Sequence, residues 1–370
     1  MPRPTYAEVN LGALRRNLRA LRGLLAPRVK VLAVVKADAY GHGAVPVARA
    51  LVEEGADMLG VALVEEGVEL RRAGLVAPIL VMGALPADEI AAALQYDLRP
   101  TIDALATAAE LDRRAAGRAA PVAVHLKVDT GMNRLGVRAE EAAEAAAAVA
   151  AMPHLVLEGL YTHFACADVD AHPATGEQVG RFRQVLDALA ERQIRPALVH
   201  AANSSALALR PEAHFDMVRP GLALYGVHPC PETAARVALE PVMALRTEVA
   251  HLKRVRRGEA ASYGHTWRAA RDSVLGLLPV GYADGLPRAL SNRGKVRVGD
   301  RLCPIVGTVC MDATLVDLTD LEGPRVGLPV ALMEPSNESP LSAAALAALV
   351  GTISYEILTG IGRRVPRRYV

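Results

Sequence analysis

Only five of the 42 Lys plus Arg residues are lysines (Lys30, Lys36, Lys127, Lys253 and Lys295), so 37 arginines carry the ordinary positive charge of this chain. That scarcity draws attention to each amine. A lysine can lose its proton and attack a carbonyl or carbon dioxide, whereas a guanidinium stays protonated. Lys36 follows the apolar run Val31 to Val35, and Lys127 sits near the end of the run Val122 to Val128. An amine at the end of a buried strand is partly desolvated, which lowers its pKa and makes Schiff-base formation feasible. The plainer alternative for Lys36 is a side chain that snorkels from a strand end to solvent. Asp38, Tyr40, Gly41, His42 and Gly43 follow it closely. The four cysteines (Cys166, Cys230, Cys303, Cys310) form no Cys-x-x-Cys pair and no cluster with histidine, so reduced thiols and no zinc site are expected.

The elements that would carry these lysines alternate regularly. From residue 29 to about 228, short β-branched runs alternate with Ala/Glu/Arg-rich stretches of helical periodicity, the rhythm of a parallel sheet. Eight strands are predicted: Val31 to Val35, Met58 to Ala62, Ile79 to Met82, Leu98 to Thr101, Val122 to Val128, Leu155 to His163, Leu198 to Ala201, and Met217 to Arg219. Helices are predicted at Glu65 to Ala73, Ala87 to Tyr96, Ala104 to Arg114, Ala139 to Ala151 and Thr175 to Glu191. Eight units suggest a closed (β/α)8 barrel. No Gly-x-Gly-x-x-Gly turn or Walker loop follows a strand, which disfavours an open nucleotide-binding sheet. In a barrel, reactive groups belong at the carboxyl ends of the strands, where Lys36 falls.

After about Pro241 the texture becomes β-rich, with segments Val274 to Val280, Lys295 to Val298, Arg301 to Val309, Ala313 to Leu318 and Val330 to Met333 between Gly, Pro and Asp turns. The reading is therefore a barrel over 11–240 and a separate, mainly β domain over 241–370. Thr5 to Val9 reads as a further strand, with segment 1–10 joining the β domain, and Asn10 as the cap of a helix Leu11 to Leu25. With 370 residues, 52% hydrophobic, and a net charge of +2, the chain buries a sizeable core and shows no nucleic-acid footprint. No apolar run reaches the roughly 18 residues of a membrane span, and Met1 to Asn10 lacks a signal pattern, so no membrane association and a cytoplasmic location are expected.

The segment Val34-Val35-Lys36-Ala37-Asp38-Ala39-Tyr40-Gly41-His42-Gly43 closely resembles the cofactor-lysine motif of the alanine racemases. Further matches follow in order: 127–134 (KVDTGMNR), 161–165 (YTHFA), 200–204 (HAANS), 218–226 (VRPGLALYG), 262–264 (SYG), 281–285 (GYADG) and 310–312 (CMD). Each is weak alone; their joint occurrence at strand ends is very specific. The resemblance implies a barrel carrying pyridoxal 5'-phosphate, a β domain, and a homodimer with shared active sites. It implies interconversion of L-alanine and D-alanine, with D-alanine supplied to peptidoglycan, although a catabolic racemase would leave the same motifs.

The resemblance also implies roles. Inversion needs two bases: Lys36, which also holds the cofactor as a Schiff base, for the D enantiomer, and Tyr263 from the partner subunit for the L enantiomer. A phenol, with an ordinary pKa of ~10, needs help from its surroundings to act as a base. Arg219 would bond the pyridine nitrogen, with His163 and His200 behind it. Tyr40, Ser204, Tyr355 and the amides of Gly221 and Leu222 would hold the phosphate, with Asn203 shaping the turn. Arg134 would meet the substrate carboxylate, Met311 would touch the substrate through its backbone, and Tyr282 would narrow the entrance. Lys127 matches a position that many members carry as N6-carboxylysine; that modification would reverse its charge beside Arg134. The departure is Asn133, where a smaller residue often stands. A broad-specificity small-amino-acid racemase shares these motifs, a decarboxylase on the same scaffold would want an acidic partner for the ring nitrogen, and a non-enzymatic pyridoxal-phosphate-binding protein would lack the β domain with Tyr263.

Overall fold

The computed structural model describes residues 3–169 and 172–370, so of the segment 1–10 the first two residues lie outside it. Strand β1 (Tyr6–Val9) leads into the helix Leu11–Arg22, whose N-terminus is capped by the Asn10 side chain accepting from the Ala13 N–H at 2.8 Å. The helix ends at Arg22, three residues earlier than predicted.

Next come β2 (Lys30–Val34), β3 (Met58–Val61), β4 (Ile79–Val81), β5 (Arg99–Ile102), β6 (Val122–Asp129), β7 (Val137–Arg138), β8 (Leu155–Tyr161), β9 (Leu198–His200) and β10 (Met217–Val218). All of the predicted strands are present, with ends shifted by one or two residues. They pair in parallel in the order β2-β3-β4-β5-β6-β8-β9-β10, β10 returns to β2, and β5 to β6 completes the ring; β7 is a short addition on β6. Closure removes both sheet edges and explains why β2, β3 and β4 are nearly all apolar: one face packs inside the barrel and the other against helices.

The second half contains β11 (Met243–Glu248), β12 (His251–Val255), β13 (Ala260–Ala261), β14 (Trp267–Arg268), β15 (Ser273–Leu278), β16 (Lys295–Val298), β17 (Arg301–Pro304), β18 (Thr314–Asp317), β19 (Pro329–Met333) and β20 (Arg367–Tyr369). A six-stranded sheet runs β17-β16-β19-β11-β1-β20, a three-stranded sheet β12-β15-β18, and β13 pairs with β14. The predicted run Arg301 to Val309 stops at Pro304, leaving only an isolated bridge from Ile305 to Val316 before the turn at Gly307. Two helices, Ala343–Val350 and Ser354–Thr359, were not anticipated in this half. The second carries Tyr355 to the barrel mouth.

One apolar core runs through the barrel and into the six-stranded sheet, and a smaller cluster around Val255, Leu275 and Val306 lies under the β13–β14 hairpin. Among the described residues no helix is long and apolar enough to cross a membrane, and no group of His, Cys, Asp and Glu is arranged to hold a metal.

Candidate active site

Lys36 leaves β2 into an unusual turn. Ala37, Asp38, Ala39 and Tyr40 all adopt left-handed helical backbone, with φ between 52° and 54° and ψ between 39° and 53°. Each such residue costs about 1–2 kcal/mol relative to the right-handed form, so the turn persists only because its surroundings hold it. The Asp38 carboxylate accepts from the Ala44 N–H at 2.7 Å, Glu66 accepts from the Ala37 N–H at 2.6 Å, and Arg367 donates to the Gly41 carbonyl at 2.9 Å. The buried His42 ring presents Nδ1 to the carbonyls of Ala39 (3.0 Å) and Tyr40 (2.9 Å), which assigns the proton to that nitrogen. Burial lowers His42 to about 4, so it is neutral at physiological pH. Gly41, at φ +80°, lies so close to the Leu358 carbonyl that a Cβ would collide with it.

The turn delivers Lys36 to a cavity of about 450 Å³ at the carboxyl ends of the barrel strands. Tyr40, Lys127, Arg134, His163, Asn203, Ser204, Arg219, Gly221, Leu222 and Tyr355 share its wall, so most of the residues singled out in the sequence meet here. Burial first, and then the positive charge of Arg134, lowers the Lys36 amine. Burial, Arg134 and Arg219 bring Lys127 down to about 8. A neutral amine is the nucleophilic form, and both lysines are moved towards it.

Arg219 is buried and held from several sides. Nη2 donates to the carbonyls of Thr162 (2.7 Å) and Ala201 (2.9 Å) and lies 3.2 Å from His163 Nδ1; Nη1 donates to His200 Nδ1 at 2.9 Å. None of these contacts uses Nε. Burial brings the guanidinium down to about 10, which still leaves it cationic at neutral pH. Burial together with Arg219 holds His163 and His200 well below the usual histidine range.

Arg134 sits on the loop that follows β6. The Asp129 carboxylate accepts from the N–H groups of Gly131 (2.9 Å), Met132 (3.0 Å) and Asn133 (3.0 Å), which shapes this loop. Asn133 takes φ 54°, a left-handed position that asparagine tolerates, so the departure noted in the sequence suits the turn.

One end of the cavity gathers hydroxyl and backbone amide groups. Ser204 Oγ accepts from the N–H of Gly221 at 2.9 Å and of Ala223 at 3.3 Å, so its own O–H is free to donate elsewhere. Asn203 caps the helix Ser204–Leu209 by accepting from the Ala206 N–H at 3.0 Å. Gly221 approaches the Tyr40 hydroxyl so closely that a side chain there would collide with it, and the Tyr40 and Tyr355 rings lie 5.8 Å apart. Burial raises both phenols, Tyr355 to about 12, so each remains a hydrogen-bond donor.

His200 lies behind Arg219 rather than on the cavity wall, and three further singled-out residues do not line the cavity either. Tyr263 is 73% exposed, Met311 53% and Tyr282 42%. The Tyr263 backbone is nevertheless anchored: its carbonyl accepts from Thr308 Oγ1 at 2.9 Å, and the adjacent Ser262, at φ 65°, donates to the Thr308 carbonyl at 2.6 Å. The N–H groups of Tyr282 and Ala283 bond the carbonyls of Cys310 (3.0 Å) and Met311 (3.1 Å), which ties these segments together.

Sequence reasoning gave no role to Tyr161, His125 or Glu158. Tyr161 lines the cavity and stacks on His200, with ring centroids 4.8 Å apart and planes within 3°. His125 Nδ1 lies 2.8 Å from His200 Nε2. The available signal was spacing: His125 and Lys127 are two residues apart on one strand and so share a face.

With this geometry in view, comparisons with known proteins agree along the whole chain. The family model "Alanine racemase, N-terminal domain" matches residues 9–229, and "Alanine racemase, C-terminal domain" matches residues 242–369. The chain is 48% identical over 370 residues to an alanine racemase of Symbiobacterium thermophilum, covering 99% of this chain and 97% of that protein. Among solved structures, an alanine racemase of Clostridium difficile 630 superposes with a TM-score of 0.95 at 36% identity, covering 100% of this chain and 96% of that one. The alanine racemase of Bartonella henselae, solved with covalently bound pyridoxal phosphate, gives 0.89 at 30% identity, with 100% of both chains covered. Identity of this extent, running through both halves rather than the barrel alone, places the chain in the alanine racemase family.

Proposed function

We propose that the protein interconverts L-alanine and D-alanine, with pyridoxal phosphate held on Lys36 and with a second copy of the chain completing each site. The observation that carries this reading is the single cavity in which the partly desolvated Lys36 amine faces Arg219, Arg134 and a wall of hydroxyl and amide donors. The residues present fit the cofactor. Its phosphate would lie against Tyr40, Ser204, Tyr355 and the Leu222 amide; the expected Gly221 amide is instead turned to Ser204 Oγ, and Gly221 contributes by leaving room for close approach. Its ring nitrogen would face the Arg219 Nε–H, which the internal contacts of Arg219 leave unused. When bound, the cofactor supplies an electron sink that acidifies the α-proton of a joined amino acid.

The chain's own residues then decide which face of the α-carbon gains or loses the proton. Lys36 Nζ serves one face, and Tyr263 Oη of the second copy serves the other, with Met311 beside it. Arg134 offers a forked donor to the substrate carboxylate. Because Arg219 stays cationic, it would offer the ring nitrogen a hydrogen bond without readily giving up its proton. His163, 3.2 Å from Arg219 Nη2, would link Arg219 towards Tyr263 of the second copy. Tyr282 and Tyr355 would narrow the entrance, selecting a small side chain, although one methylene is worth only ~1–3 kcal/mol of discrimination. Lys127 is the candidate for N6-carboxylation: its amine is buried among cations, and carbon dioxide would turn a repulsive neighbour of Arg134 into an attractive one. We place the working division at about residue 240, with the barrel before it and the β domain after it reaching into the partner's site.

The test is incubation with pyridoxal phosphate and single-enantiomer amino acids, including serine, followed by chiral chromatography. Racemisation of alanine by the wild type, lost in Lys36→Ala together with the cofactor's absorbance, is the expected result. Normal alanine racemisation by Lys36→Ala would refute the assignment.

A further inference from the structure

The barrel interior contains a chain of polar side chains that the scheme above does not use. It starts behind Arg219, whose Nη1 donates to His200 Nδ1 at 2.9 Å. His200 Nε2 lies 2.8 Å from His125 Nδ1, His125 Nε2 lies 3.0 Å from Glu158 Oε2, and Arg99 Nε donates to the same oxygen at 2.7 Å. Arg219 and both imidazoles are buried, whereas Glu158 and Arg99 reach solvent. Arg99 opens β5, so the chain ends at the amino-terminal face of the barrel, opposite the cavity.

Only one order of protons satisfies every link. Arginine donates and cannot accept, so His200 Nδ1 is bare and its proton is on Nε2. That proton must go to His125 Nδ1, which is therefore bare as well, and the His125 Nε2–H is left to donate to the Glu158 carboxylate. Reversing either ring would set two N–H groups face to face in a buried site. Burial favours the neutral form of both rings, and hydrogen bonds from His125 and Arg99 outweigh the burial of Glu158 and bring it to about 2, so the chain ends on an anion.

The backbone is shaped around this chain. Leu157 pairs with Val124 and Gly159 with His125, so Glu158 is the extra residue of a bulge in β8, a device that re-aims a side chain out of the ladder. A Cβ on Gly159 would overlap the His125 ring, with Cγ only 2.7 Å away, so this position has no room for a side chain. Tyr161 stacks on His200 and fixes the plane of the second ring.

We infer that Glu158 is a positioning residue: as terminal acceptor it sets the proton order through His125 and His200, holding Arg219 with Nη1–H turned into the barrel and Nε–H free for the cavity. The consequence for catalysis rests on the proposed racemase reading; the proton order does not. Neutron diffraction from deuterium-exchanged crystals of the protein with its cofactor reads that order directly. Deuterium on Nε2 of both His125 and His200 is expected, and deuterium on Nδ1 of either ring would overturn the inference.

Two variants then test the consequence. Glu158→Leu removes the acceptor, whereas Glu158→Gln keeps a carbonyl that accepts from His125. The kcat for alanine should fall roughly tenfold or more in Glu158→Leu with little change in KM, and Glu158→Gln should recover most of the loss. Arg99→Met, which leaves the acceptor in place, should stay near wild type. Equal losses in Glu158→Gln and Glu158→Leu, or no loss in either, would sink the positioning role. Should Glu158→Leu fail to fold, the neutron map decides the proton order by itself, and a Glu158→Gln variant with only background activity would overturn the positioning role. A wild type that does not racemise alanine would refute the proposed function while the neutron map still reported on the chain.

Discussion

At the residue scale the most informative group is Lys127, an amine placed in the barrel among cations. Its pKa falls to about 8, so between there and the ordinary lysine value of ~10.4 the unfolded chain holds a proton that the folded chain releases. Stability therefore rises with pH across that window, and the full cost is present below it. In bicarbonate-free buffer, Lys127→Met should raise unfolding free energy at pH 7 by roughly 2–3 kcal/mol, with the gain shrinking towards pH 10. Denaturant titrations across that range measure it; a gain that grew with pH would contradict the electrostatic origin. In bicarbonate the wild type should gain the mass of one carbon dioxide, absent from the variant, by intact-protein mass spectrometry. Tyr263→Phe, at an exposed position, should leave the stability of one chain within ~0.5 kcal/mol yet slow proton removal from L-alanine more than from D-alanine. Deuterium incorporation from each enantiomer distinguishes the two directions.

At the element scale, the left-handed turn after β2 trades local strain for the placement of Lys36. Gly41 is where that trade is tightest, with φ at +80° and the Leu358 carbonyl against its Cα. Gly41→Ala should destabilise the fold by ~2 kcal/mol or more and weaken cofactor retention, read by thermal unfolding and by dialysis of the coloured protein. Unchanged values for both would mean that the turn does not depend on this contact. The same economy operates in β8, where the bulge at Glu158 and the absence of a side chain at Gly159 make space for His125. Gly159→Ala should therefore impair turnover through His125 without touching the cavity wall.

At the scale of the whole molecule, one chain builds a cavity around Lys36 and leaves Tyr263, Tyr282 and Met311 exposed elsewhere. If two copies complete each other's sites, Lys36→Ala and Tyr263→Phe are complementary defects. A mixed dimer would hold one doubly defective site and one wild-type site. Unfolding, mixing in equal amounts and refolding should restore about a quarter of wild-type activity, since half of randomly paired dimers are mixed and each has one intact site of two. Activity no higher than the average of the two separate variants would place Tyr263 in the same chain's site.

The sequence by itself determined what depends on neighbours along the chain. Alternating apolar runs specified the barrel strands, Asn10 the start of the first helix, and the scarcity of lysine together with a strand end pointed to Lys36. Tertiary structure decided what depends on distant partners. The left-handed turn needs Glu66, Leu358 and Arg367, none of them adjacent to it. The contact of His125 with His200 joins residues 75 apart, and the carboxylate at its end appears only because a bulge shifts one strand by a residue. No local periodicity encodes such meetings. The histidine contact follows from barrel closure, which sets side chains from nearby strands facing one another across a shared interior. The turn's contacts with Leu358 and Arg367 follow from the packing of the second half of the chain on the barrel.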